Sequence, residues 1–161
     1  MRAILRQDPD IVMIGEMRDV ETAQIGIQAS LTGHLVLSTV HTNSAVAAIT
    51  RLRDMGIESF LLASSLRTII SQRLVRRLCL KCKKEELPSK DSINIFNLDS
   101  YKKVFIPSGC DACSNTGYQG RIAIAECIQV DKTLKEMIHN NASENLISDH
   151  VFKNNKSIDE A

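Results

Sequence analysis

The sequence predicts an α/β fold with a βαβ core, a tetracysteine zinc-binding insertion and C-terminal helices. Three observations predict it. An unbroken apolar run, Ile11 to Ile14, ends in Gly15 and Glu16, the pattern of a short strand buried on both faces of a parallel sheet. A helical stretch and a second apolar run follow with short joints, which makes strand, helix, strand. Two Cys-x-x-Cys pairs, Cys79/Cys82 and Cys110/Cys113, stand with 27 residues between them.

The composition sets bounds. At 161 residues and 43% hydrophobic, the chain can bury a core as one domain or one domain plus a small appendage. Its 20 basic and 19 acidic residues nearly cancel, so net charge argues neither for nor against nucleic acid. The basic residues are unevenly placed. Arg67, Arg73, Arg76, Arg77, Lys81, Lys83 and Lys84 fall between Ser59 and Lys84 with no acid among them. No run is long and apolar enough to span a membrane, and no signal peptide opens the chain. In that setting paired cysteines favour a metal over disulfides.

Each element has a local reason. Met1 to Gln7 carries no start signal, and the chain reads as beginning partway through a larger unit. Asp10 leads into the first strand. Asp19 can cap a helix from Val20 to Leu31, with Ala23, Ile27 and Leu31 at helical spacing and Gly33 as its stop. Leu35 to Thr39 is the second strand, parallel to the first. Ser44 caps a helix to Met55, with Val46, Ile49 and Leu52 on one face. Ser59 is expected to cap a longer helix to Leu78, striped by Leu62, Leu66, Ile69/Ile70, Leu74 and Leu78. Glu85 to Val104 reads as an irregular insertion, and Phe105-Ile106 as a short strand. Ile122 to Val130 alternates as a strand. Asp131 caps a helix with Leu134, Met137 and Ile138. A last helix carries Leu146, Ile147 and Val151, before a tail expected to fray after Phe152. The expected divisions are 1–78, 79–126 and 127–161.

Two constellations carry chemistry. Glu16, just past the C-terminal end of a buried strand, stands where α/β sheets hold their ligands. In phosphate-handling folds this is the place for the acid that manages the metal or the attacking water. His41 falls at the same edge of the sheet, where an imidazole could contact a phosphate; the plainer reading is a polar loop histidine. His34 begins its strand and belongs at the opposite edge. The second constellation is Cys79, Cys82, Cys110 and Cys113. A two-residue gap lets both sulfurs of a knuckle reach one ion, and four soft ligands with no open position suit structural zinc. The neighbouring Arg76, Arg77, Lys81, Lys83 and Lys84 would offset the thiolate charge. The alternative is free or disulfide-prone thiols. Cys127, alone in a strand, reads as a small buried hydrophobe.

A phosphate loop needs Gly-Lys followed by Ser or Thr. None of the seven glycines precedes a lysine. The basic stretch Arg67 to Arg77 could meet RNA or lipid, but at 4% aromatic with no Trp the chain lacks stacking residues.

Leu5-Arg-Gln-Asp-Pro-Asp-Ile-Val-Met-Ile-Gly-Glu16-Met-Arg-Asp resembles the Walker B segment of the secretion traffic ATPases. Leu31-Thr-Gly-His34-Leu-Val-Leu-Ser-Thr-Val-His41-Thr-Asn resembles their His box. The cysteine pairs, with Gly109 to Arg121, resemble the tetracysteine zinc element of the subfamily that drives pseudopilus or pilus assembly. The stretches from Ser59 and from Gln72 look most like the type II secretion members, with the pilus assembly ATPases as near neighbours.

The resemblance implies part of a RecA-like P-loop ATPase domain from a homo-hexameric cytoplasmic motor. That motor would be peripheral to the inner membrane through secretion-platform proteins, with no nucleic-acid partner. It implies ATP and Mg2+ as cofactors of the full-length parent and structural Zn2+ in this segment. Glu16 matches the catalytic glutamate and His41 the residue near the terminal phosphate. Gly15 stands where many P-loop enzymes carry a metal-binding aspartate, and Arg18 matches a motif position; both are expected on the cofactor-binding side. Ala123 departs from the family's usual glycine. The phosphate loop and arginine fingers of the family precede the first residue here, so this polypeptide is expected to be a fragment inactive in ATP hydrolysis by itself. An apolar sheet edge meant for absent strands is expected to be exposed. A stand-alone zinc-stapled interaction module, and an RNA- or lipid-binding protein using the basic helix, are the competing expectations.

Overall fold

A computed structural model describes residues 2–96, 102–153 and 157. The chain divides into two compact units, one formed by Met1–Gln72 and Ala125–Ala161, the other by Arg73–Ile124. Among the described residues no helix is long and apolar enough to cross a membrane.

The first unit opens with a short helix, α1 (Arg2–Leu5), and then the expected βαβ sequence. β1 (Ile11–Ile14) and β2 (Leu35–Ser38) pair in parallel, with Ile11 opposite Leu35 and Ile14 opposite Ser38. α2 (Val20–Leu31) joins them. Asp19 caps it as expected, its side chain accepting from the Thr22 N–H at 2.8 Å. Gly26 lets α2 lie close to the sheet: a Cβ there would come 2.6 Å from Met17 Cε and 3.0 Å from Ile14 Cδ1.

β1 is buried on one face only, which corrects the two-faced expectation. Val12 and Ile14 are buried, whereas Ile11 and Met13 are 60% and 75% exposed. Leu35 and Leu37 lie opposite them in register and are also exposed, so one face of the two-stranded sheet is an open apolar patch. Leu31, at the end of α2, is exposed as well.

α3 (Ala45–Asp54) is capped by Ser44, as expected, and buries Val46, Ile49 and Leu52. The long helix expected from Ser59 to Leu78 is not formed. α4 (Ser59–Ser65) stops at Leu66, whose backbone is extended, and Thr68–Leu78 is a strand, β3. Glu58, rather than Ser59, is its N-cap residue, with no side-chain capping bond. Ser59 instead donates to Asn141 Oδ1. β-branched Thr68, Ile69 and Ile70 tolerate a helix but favour a pleated surface, and a partner strand is present. β6 (Tyr118–Gln129) pairs with β3. Val130 donates to Arg67 O at one end and Cys79 to Gly117 O at the other, both at 2.9 Å, so the strands run antiparallel. The basic residues from Arg67 to Arg77 therefore adjoin or lie on a strand, and the basic helix of the RNA- or lipid-binding reading does not exist.

β6 begins four residues earlier than the alternation from Ile122 suggests. Near its end Glu126 and Ile128 point inward and Cys127 is exposed, so Cys127 is not the buried hydrophobe expected. α6 (Lys132–His139) is capped by Asp131 and buries Leu134 and Ile138. α7 (Glu144–Phe152) is capped by Ser143 and buries Ile147 and Val151, with Leu146 exposed. These helices, α2 to α4 and the end of β6 enclose the core, in which Ile49, Leu62, Ile128, Leu134, Ile138 and Ile147 are the largest fully buried side chains. The expected fraying after Phe152 falls mostly outside the described residues.

In the second unit the supposedly irregular insertion contains regular elements. β4 (Lys84–Glu86) pairs antiparallel with β5 (Val104–Ile106), and α5 (Lys90–Phe96) lies between them in sequence. Lys103 and Glu85 add an ion pair at 3.5 Å. β4 has no apolar residue, so no hydrophobic period announced it.

Candidate functional site

β1 and β2 end side by side, and the chain is tied there by two bonds. Met17 N–H donates to Thr39 O at 2.9 Å, and Thr39 Oγ1 donates to Gly15 O at 2.7 Å. This places Glu16, after β1, beside His41, after β2. Glu16 Oε2 lies 3.1 Å from His41 Nε2 and 2.6 Å from Arg18 Nε. The Glu16 side chain is 33% exposed, and those of Arg18 and His41 are 73% and 84% exposed.

The Arg18 hydrogen bond holds the Glu16 carboxyl below the usual carboxylate range; partial burial opposes this and the His41 contact assists it. Against an ionised carboxylate, His41 Nε2 must carry the proton it donates. Gly15 adds no side chain, and a Cβ there would meet no atom within 4 Å. Packing therefore does not demand glycine at that position. A cavity of about 820 Å³ adjoins the loop, lined by Thr39, His41, Asn43, Ser44, Thr68 and Gln72 among others. His34 lies at the other end of β2, as expected, with Nδ1 3.0 Å from Ala29 O.

The loop leads into α3, and here sequence reasoning missed a residue. Glu126, 3% exposed, accepts a hydrogen bond from the Ala45 N–H at 2.6 Å. The signal was available: Glu126 falls on the same side of the alternation as Ile124, Ile128 and Val130.

In the second unit, Cys79, Cys82, Cys110 and Cys113 converge, their sulfurs all within 4.8 Å of one another. The Cys79–Cys110 separation is 4.0 Å, and those of Cys82–Cys113 and Cys110–Cys113 are 3.8 Å. Four sulfurs bound tetrahedrally to zinc at about 2.3 Å stand about 3.8 Å apart, so the spacing fits that ion, whereas a disulfide needs about 2.05 Å.

The second knuckle depends on its turn. Gly117 has φ +76°, and a Cβ there would come 2.5 Å from Pro107 Cβ. The N–H groups of Cys110 and Gly117 donate to Cys113 Sγ at 3.3 and 3.2 Å. Burial raises the Cys113 thiol, but these donors outweigh it and bring it down to about 6. Burial pushes Cys82 up to about 11. Three of the five nearby cations engage other groups: Arg76 lies over the Tyr118 ring, Lys83 over Phe105, and Arg77 donates to Gln119 O.

A family model described as "Type II/IV secretion system protein" matches residues 1–161. The "Type II secretion system ATPase E" of Vibrio cholerae is 53% identical over 162 residues, covering 98% of this chain and 32% of that protein. The "Putative type II secretion system protein E" of Escherichia coli is 54% identical over 160 residues, with coverage of 98% and 32%. The chain thus spans about a third of the length of these curated relatives. Among solved structures, the "Pilus Retraction Motor PilT and Bound ADP" matches with a TM-score of 0.58 and 27% identity, covering 94% of this chain and 38% of that one. The Legionella pneumophila ATPase DotB has the same TM-score at 22% identity, covering 94% and 32%, and is a likeness of fold alone.

Proposed function

This chain belongs to the type II/IV secretion system protein family, and on that premise we propose that it is the Walker B, His-box and tetracysteine segment of a type II secretion ATPase. In the full-length motor, ATP hydrolysis would drive pseudopilus assembly and protein export. The observation that carries the reading is the Glu16–His41 contact at the C-terminal ends of two parallel strands. A RecA-like ATPase domain holds its chemistry at that edge. Identities of 53% and 54% to type II secretion proteins support the export reading.

In this reading ATP with Mg2+ supplies the phosphoanhydride that is cleaved. Glu16 accepts a hydrogen bond from the attacking water and draws off its proton, the task of an ionised carboxylate at this position. Arg18 keeps that carboxylate ionised and oriented. His41, 3.1 Å from the same oxygen, would meet the terminal phosphate. Gly15 leaves open space on the cofactor side. The chain has no Gly-Lys-Ser/Thr loop to cradle phosphates, so the isolated segment would not turn over ATP. Zn2+, held by Cys79, Cys82, Cys110 and Cys113, would be structural. The motor would act as a homo-hexamer in the cytoplasm, docked on inner-membrane secretion-platform proteins.

The test is Glu16→Gln in the full-length ATPase. Nucleotide binding should persist while turnover falls by about 100-fold or more. Unchanged turnover would remove Glu16 from the chemistry and the reading with it.

A further inference from the structure

Glu126 is the one buried charged side chain among the described residues. Burying a carboxylate is costly unless strong partners replace its water. One of its partners is the Ala45 N–H at the start of α3, 2.6 Å away, where the free amides of a helix favour a negative charge. Local capping alone does not explain that cost. Ser44 Oγ already accepts from the Ala47 N–H at 3.1 Å, the ordinary cap for this helix. Glu126 instead ties α3 to β6, 81 residues along the chain.

The tie falls at a sensitive place. Only residues 39–44 separate β2 from α3, and His41 lies on that loop. Its first residue is held to the end of β1 through Thr39 Oγ1 and Gly15 O. Its last residues lead into the Glu126 bond, and Thr42 Oγ1 donates to Ser44 O at 3.0 Å in between. The His41 side chain is 84% exposed, so neighbouring packing does little to set its position. The two ends of the loop set it instead.

We propose that Glu126 is a positioning residue that fixes the α3 end of this loop and thereby holds His41 against Glu16. This rests on the reading of Glu16 and His41 as active-site residues. Misplacement of a reacting group through a remote change slows the chemical step without weakening substrate binding in proportion.

The experiment is steady-state kinetics on the full-length ATPase carrying Glu126→Ala, Glu126→Gln and His41→Ala, singly and with Glu126→Ala and His41→Ala combined. Glu126→Ala should lower kcat about tenfold or more and leave the KM for ATP within about twofold. Glu126→Gln, which keeps an acceptor oxygen for the Ala45 N–H, should recover to within about threefold of the parent. Glu126→Ala should add less than about twofold to the His41→Ala loss, because it acts through that residue. A Glu126→Ala loss that multiplies with the His41→Ala loss, or that Glu126→Gln shares in full, overturns the inference. If Glu126→Ala does not fold, Glu126→Asp replaces it. Its carboxylate falls one methylene short, so it should lower kcat and be masked by His41→Ala, and a multiplicative loss again overturns the inference. Failure of the underlying reading looks different: His41→Ala and Glu16→Gln would then leave turnover at the parent value.

Discussion

Glu16 Oε2 and His41 Nε2 lie 3.1 Å apart although the two residues are 25 positions apart in sequence. Parallel pairing of β1 with β2 brings the two strand ends together, and the Thr39–Gly15 bond locks the turn-outs in phase. Arg18 completes the cluster on the same carboxylate oxygen.

The cluster should show itself in a titration. Arg18 lowers the Glu16 pKa most, so the contribution of this group to stability is present above the ordinary carboxylate range and is lost as pH falls through the depressed folded value. Replacing Arg18 by Ala should move the Glu16 carboxyl midpoint upward, toward the model-peptide value. Carboxyl carbon NMR against pH reads this directly, and an unmoved midpoint would show that Arg18 is not the main cause.

Cys110→Ser should release the metal from protein purified with zinc and loosen the unit Arg73–Ile124, while the core of the other unit persists. Metal content per chain and hydrogen exchange measure the two effects. Full metal retention in the variant would refute ligation by four cysteines.

Leu62 and Met13 should respond oppositely to substitution. Leu62 is fully buried in the core, so Leu62→Ala should cost about 2–5 kcal/mol in denaturant unfolding. Met13 is 75% exposed on the apolar sheet face, so Met13→Lys should change stability by no more than about 0.5 kcal/mol and reduce self-association. Sedimentation velocity checks the second effect; unchanged association would mean that face does not mediate it.

Much of this was legible from local pattern. Asp19, Ser44 and Asp131 announced their helices because a cap is a contact within a few residues. The apolar runs at Ile11 and Leu35, with a helix between them, specified a parallel pair because a βαβ connection has little alternative. That Glu16 and His41 fall at the same edge of the sheet, and that the four cysteines can converge, was legible from position and spacing.

What the local pattern misread were segments whose state depends on distant partners. Thr68 to Leu78 has helical spacing of leucines, yet β6 pairs with it and the strand ladder prevails. Lys84 to Glu86 has no apolar signal and forms a strand against Val104 to Ile106. Cys127 is exposed because the alternation of β6 directs Glu126 and Ile128 inward instead.

The amino-acid order alone thus specified the caps at Asp19, Ser44 and Asp131, the βαβ unit and the identity of the four cysteines that converge, because each is encoded within a few residues, one short crossover or a doubled spacing. Tertiary structure decided that Thr68 to Leu78 is a strand, that Glu126 reaches the start of α3, and that Glu16, Arg18 and His41 share one carboxylate oxygen. Those outcomes rest on hydrogen bonds and burial between segments far apart in the chain, and no local period or propensity carries that information.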